Sequence, residues 1–230
     1  MVIGLLLVLA SGALFVYNYR EQSAAEQSVE VLMPQLVEAI QNRQTAPTDP
    51  LPTDPEPSEP DPSEPTPSEP WPSEPSEPLP TVPRPQIPVL PPEPEKKELP
   101  VVEIDGYGYI GFVTIPSLEL ELPVMAEWSY PKLKKSPCRY VGSTYTDDLV
   151  IMAHNYKRHF GRIDDLNPGD TVAFTDMDGN TVYYEVIALD VLNPGAVEEM
   201  TSGEYDLTLF TCTYGGRTRV TVRCDRKEED

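Results

Sequence analysis

The chain has 230 residues and a formal net charge of −21, and 28 of its residues are proline. Residues 47–100 hold 21 of those prolines, so this stretch cannot build a packed core and about 130 residues remain for a folded domain. Acidic residues dominate in every part of the chain, which excludes a basic surface for nucleic acid. The three cysteines, Cys138, Cys212 and Cys224, are odd in number and far apart. That excludes a dense disulfide framework and a CxxC zinc site.

In chain order, Val2 to Tyr17 is an almost continuous apolar run, just long enough to span a bilayer. It continues past the small residues Ala10 to Ala13 that could serve a cleaved signal peptide. Residues 1–20 are therefore read as a transmembrane signal-anchor, and with only Arg20 nearby the positive-inside rule gives little orientation. Residues 21–45 are read as a juxtamembrane amphipathic helix, with Val29, Leu32, Met33, Leu36, Val37 and Ile40 on one stripe. Pro34 inside it is expected to kink or interrupt it. The expected role is a stalk packing on itself or on the membrane. Residues 46–100 are read as a disordered Pro/Ser/Glu-rich spacer, because P-S-E-P-x recurs from Pro57 with Trp71 the apolar exception. Extended at about 3.1 Å per residue, it could reach on the order of 170 Å.

Residues 101–230 read as an all-β domain. Runs at Tyr109 to Ile115, Leu118 to Val124, Leu149 to Ala153, Thr171 to Thr175, Thr181 to Leu192, Leu207 to Cys212 and Thr218 to Cys224 have strand character. Between them stand Pro168-Gly169-Asp170, Asp178-Gly179-Asn180, Asn193-Pro194-Gly195 and Gly215-Gly216, which is turn chemistry, with a hairpin expected at 178–180. Many short strands at this spacing predict a closed barrel or sandwich. Short helical pieces are expected near 130–135, 160–166 and 196–200.

Cys212 ends an apolar strand just before a glycine loop, where a substrate can approach; the competing reading is a buried small hydrophobe. His154 ends the strand Leu149 to Ala153 in the same manner, and a cysteine nucleophile needs a proton acceptor and donor within reach. His159, in the basic stretch Lys157-Arg158-His159, is expected to be solvated. No metal-binding context accompanies the two histidines, so no metal and no cofactor is expected. Arg217, Arg219 and Arg223 share one face of the last strand, where a guanidinium could stabilise an oxyanion. For Arg217 and Arg223 a solvated face is the expectation.

The stretch Leu207-Thr208-Leu209-Phe210-Thr211-Cys212, followed seven residues later by Arg219-Val220-Thr221-Val222, resembles the TLxTC…R signature of sortases. Tyr109 to Val124 is similar to that family's opening hairpin. Asp148 to Asp170 resembles the segment with its histidine and FGxxxxLxxGD turn, with Ala153 where a glycine usually precedes the histidine. The resemblance covers about residues 107–226. It implies an eight-stranded β-barrel with short helices, outside a Gram-positive cell membrane, and a cysteine transpeptidase acting on an LPxTG-like sorting signal. By this resemblance Cys212 is the nucleophile, His154 protonates the leaving amine and Arg219 steadies the oxyanion. Thr211, Ala153 and Asn155 are read as substrate-binding neighbours. The implied partners are surface proteins bearing the sorting signal, an amine acceptor from a cell-wall precursor or pilin, and the membrane. A non-catalytic surface β-domain and a hydrolytic cysteine peptidase are the alternatives left open.

Overall fold

The computed structural model describes residues 2–45 and 97–228. The Pro-rich segment lies outside the described residues over 46–96. The first element, α1, is one continuous helix over Val2–Thr45. Its first part is long and apolar enough to be a candidate membrane span. Leu5, Leu6, Leu7, Val8, Leu9 and Phe15 are uncovered by protein.

The second half of α1 does not stand apart as a stalk; it packs on the β-domain. Leu32, Leu36 and Ile40 are buried against Tyr109, Met125, Leu133, Cys138 and Met177. Burying each aliphatic side chain contributes about 1.5–3 kcal/mol, and this seam brackets Pro34, which lies on the exposed side. Helix packing thus outweighs the proline, and no break occurs there. Val37, placed on the apolar stripe by the sequence, is 36% exposed. Leu32, Leu36 and Ile40 of that stripe are buried, and the buried line continues to Ala25. Exposed ion pairs follow the seam: Glu21 with Lys134 at 2.6 Å, Glu26 with Arg158 at 2.7 Å and Arg43 with Asp178 at 2.7 Å.

The β-domain begins earlier than the composition suggested. Leu99 is already buried in the main core, and Lys97 lies over the Tyr145 ring. The strands are β1 (Val102–Ile104), β2 (Tyr107–Ile115), β3 (Leu120–Met125), β4 (Cys138–Val141), β5 (Leu149–Ala153), β6 (Thr171–Asp176), β7 (Thr181–Leu192), β8 (Leu207–Cys212) and β9 (Arg219–Arg226). They pair in the order β1-β2-β3-β4-β5-β8-β9-β7-β6, and β6 returns to β2. Strands β2 to β9 therefore close an eight-stranded barrel, and β1 is added outside on β2. Helix α2 (Tyr130–Leu133) sits between β3 and β4, and α3 (Val197–Met200) between β7 and β8.

Alternation decides which side chains fill the barrel. Leu149, Ile151 and Ala153 of β5, Leu207 and Leu209 of β8, and Val222 and Cys224 of β9 all belong to the interior cluster. Strand β3 departs from strict alternation because α1 covers its outer face, so that Met125 is buried as fully as Val124. At the expected hairpin, Asp176 accepts the N–H groups of Asp178 and Asn180 at 2.9 Å each. Gly179 takes φ +83°, a backbone conformation that glycine adopts freely.

Because Cys138 lies under the α1 seam whereas Cys224 lies inside the barrel, thiol labelling reports on docking of the helix. Leu36→Glu is expected to make Cys138 reactive toward a maleimide under native conditions while Cys224 stays protected. Peptide mapping after a short labelling pulse checks this.

Candidate active site

The site is built by register. Strands β5 and β8 run parallel with Ala153 opposite Thr211, so the next residues, His154 and Cys212, follow side by side at the two strand ends. Strands β8 and β9 are antiparallel with Cys212 opposite Arg219. Residues opposed in this way project to the same face, with Cα atoms about 4.5–5.5 Å apart. Since Leu209 and Val222 point into the barrel, Phe210, Cys212, Arg219 and Thr221 point out of it. Here the outer face is recessed: His154, Cys212 and Arg219 line one cleft of about 180 Å³. Met200 and Phe210 form its apolar floor, backed by Val150 in the same buried cluster, and Trp128 and Tyr130 stand in its wall.

The other two thiols cannot compete for this chemistry. Cys138 and Cys224 are both fully buried, and burial pushes each thiol up to about 12. Cys212 is partly exposed. Arg219 donates through Nη1 to the carbonyl oxygens of Gly216 and Thr218, each at 3.2 Å, which ties its guanidinium over the loop that follows Cys212. Arg217 is exposed and does not line the cleft.

The sequence-based neighbours fall differently. The Thr211 hydroxyl donates to the Ala153 carbonyl at 2.9 Å, and both residues are buried. They border the cleft and fasten the ends of β5 and β8 to each other. Asn155 is half-buried and lies outside the cleft lining. The expectation of a solvated face also fails at Arg223, which is 3% exposed. It donates to Asp190 Oδ2 at 3.2 Å, to the Thr208 hydroxyl at 3.2 Å and to the Glu199 carbonyl at 2.8 Å. The segment carrying α3 folds over that part of the outer face, so a buried guanidinium ties β9 to β7, β8 and α3.

His159 is likewise buried rather than solvated, at 0% exposure. The chain turns inward at Gly161, where a Cβ would meet the carbonyl oxygens of Asn155 at 2.5 Å and Tyr156 at 2.7 Å. Only glycine allows that close approach. Burial depresses His159 to about 4, helped by His154, so it is neutral near pH 7 and is separated from the cleft by Tyr156. The Tyr156 ring packs on His154 at 4.9 Å and on His159 at 5.5 Å between centroids. Its hydroxyl donates to Glu21 Oε2 of α1 at 3.3 Å. This link between the helix and the site was invisible in the sequence, where Glu21 is just another acid in an acidic chain.

His154 is held below its ordinary value chiefly by burial, with the Glu21 carboxylate opposing this and Lys134 reinforcing it. Among the described residues no group of three or more His, Cys, Asp or Glu side chains could hold a metal ion.

The model of the sortase domain matches residues 113–227, half of the chain. Among solved structures, sortase A from Corynebacterium diphtheriae is 24% identical, with a TM-score of 0.50 over 54% of this chain and 63% of that one. Sortase C1 from Streptococcus suis is 30% identical with a TM-score of 0.46, over 53% of this chain and 74% of that one. Sortase C from Clostridium perfringens SM101 is 28% identical with a TM-score of 0.45, over 53% and 71%. The chain thus spans less than two thirds of the first of these, and no curated protein matches it.

Removing the Glu21 charge takes away a stabiliser of the imidazolium, so Glu21→Gln is expected to lower the His154 midpoint further. Titration of the imidazole C–H resonances in the full chain, followed from pH 8 downward, checks the sign; an upward shift would contradict it. With Cys212, His154 and Arg219 delivered to one cleft by the ends of β5, β8 and β9, and the family model matching across those strands, the chain belongs to the sortase family.

Proposed function

We propose that the chain is a membrane-anchored cysteine transpeptidase whose catalytic domain lies outside the cell. The observation that carries this reading is the convergence of a thiol, an imidazole and a guanidinium from three neighbouring strand ends on one partly apolar cleft. The substrate is an LPxTG-like sorting signal of a secreted protein. The cleft's Phe210 and Met200 floor suits the apolar part of such a peptide, and burial of that part would contribute to binding.

Cys212 Sγ attacks the carbonyl carbon of the scissile Thr–Gly bond, and its proton passes to neutral His154. Burial favours that neutral form. The oxygen of the tetrahedral intermediate then carries negative charge, which the Arg219 guanidinium stabilises. As the C–N bond breaks, His154 returns its proton to the departing amine and a thioester remains on Cys212. An amine from a cell-wall precursor or pilin next attacks that thioester, loses a proton to His154 and forms a new amide, while sulfur leaves and is reprotonated. No net oxidant, reductant or metal is required. The half-enclosed cleft favours aminolysis over hydrolysis by restricting water at the thioester.

Kinetics on one sorting-signal peptide with an amine acceptor test these roles. Cys212→Ala is expected to abolish turnover and His154→Ala to remove most of it, with His159→Ala keeping most. Arg219→Ala and Arg219→Lys should lose about 10²–10³ in kcat/KM, because an ammonium lacks the planar fork. Arg217→Ala should lose less than about tenfold. A larger loss at Arg217 than at Arg219 would move the oxyanion role to the loop, and full activity in Cys212→Ala would refute the mechanism.

A further inference from the structure

Helix α1 acts as a ruler along the barrel. Moving away from the apolar run, Glu21 meets Lys134 and Tyr156, Glu26 meets Arg158, and Arg43 meets Asp178 in the β6–β7 hairpin. At 1.5 Å per residue, Glu21 lies only about 6 Å beyond Tyr17, whereas Arg43 lies about 39 Å beyond it. The headgroup layer is itself roughly 5–8 Å deep on each side of the hydrocarbon. The end of the barrel bearing Lys134, Tyr156 and His154 therefore sits where headgroups would be, and the β6–β7 hairpin sits far above them.

The composition of that end matches its position. The segment Tyr130-Pro131-Lys132-Leu133-Lys134-Lys135 carries three lysines and no carboxylate, and Tyr156 to Arg162 carries Lys157, Arg158 and Arg162 and no carboxylate. Facing acids are present: Glu127 pairs with Lys132, Glu21 with Lys134, Glu26 with Arg158 and Asp165 with Arg162. Lys135 and Lys157 are exposed and have no carboxylate partner among the described residues. Beside these cations Trp128 is 42% and Tyr130 72% exposed, and Trp and Tyr are the side chains favoured at membrane–water interfaces. At the far hairpin Asp176 is buried and the half-exposed charge is Asp178, paired with Arg43. In a chain of net charge −21, basic and aromatic side chains are thus gathered where the span emerges.

We infer that α1 holds the barrel with its cleft end resting on the anionic surface of the bilayer it spans, Lys135, Lys157 and the neighbouring basic loops meeting phospholipid phosphates. This rests on the anchoring part of the proposed function. Since the chain leaves this unit after Ala46 and rejoins it at Lys97, the Pro-rich segment does not set the distance between span and cleft while α1 is docked. A sorting signal still held near the membrane would then reach Cys212 without the enzyme extending outward.

The two tryptophans, Trp71 and Trp128, make the test direct. In full-length Trp71→Phe protein reconstituted into phosphatidylglycerol–phosphatidylcholine vesicles, lipids with a headgroup nitroxide should quench most of the Trp128 emission. A reporter at the far end, Tyr183→Trp in a chain with Trp71→Phe and Trp128→Phe, should be quenched little. Lys135→Glu with Lys157→Glu should reduce quenching at Trp128 while the protein still floats with the vesicles. Vesicle-bound protein in which both reporters are quenched equally weakly would overturn the inference and leave anchoring intact. Protein that fails to float would overturn the anchoring reading and this inference with it.

Discussion

The site depends on strand β8 being paired on both sides, in parallel with β5 and antiparallel with β9. A slip of one residue in either ladder would turn Cys212 into the barrel and bring Leu209 out. The cost of such a slip is large, because Leu207, Leu209, Val222 and Cys224 would all leave the interior cluster they now fill. The barrel core and the chemistry are therefore one constraint. The Thr211 hydroxyl on the Ala153 carbonyl adds a local clamp at the point where the alignment matters most, and Arg223 adds a second one on the outer face.

Helix α1 is a second layer built on that frame. Its ion pairs to the barrel involve half-exposed side chains, and pairs of that kind contribute little to stability. The apolar seam of Leu32, Leu36 and Ile40 carries the attachment, while the ion pairs fix which turn of the helix meets which loop. Through Tyr156, whose ring packs on His154 and whose hydroxyl bonds Glu21, the same helix reaches the imidazole. The helix that follows the apolar run and the His154 imidazole are thereby mechanically connected.

Most of the barrel was legible because its strands obey period two and end at glycine or proline turns. The bounds of β5, β7 and β8 agree with the runs read from the sequence. Strands β1 and β4 were not, since three and four residues are too few for alternation to stand out. The barrel attachment of α1 was beyond reach for a different reason: an apolar stripe records that a face is buried, not what buries it. His159 and Arg223 misled because charged or polar neighbours suggest solvent. Only the Gly161 turn and the α3 segment, both tertiary features, enclose them. The cysteine, histidine and arginine of the cleft could be read because each sits at the end of a well-marked strand.

The central claim is that acyl transfer passes through sulfur at Cys212. Full-length protein mixed with a sorting-signal peptide, first without and then with an amine acceptor, can be followed by intact mass and peptide mapping. The account predicts an acyl adduct on the peptide containing Cys212 that disappears on adding the amine, with the new amide as the main product. Amide formed at an undiminished rate by Cys212→Ala, or an adduct found on Cys138 or Cys224 instead, would contradict it.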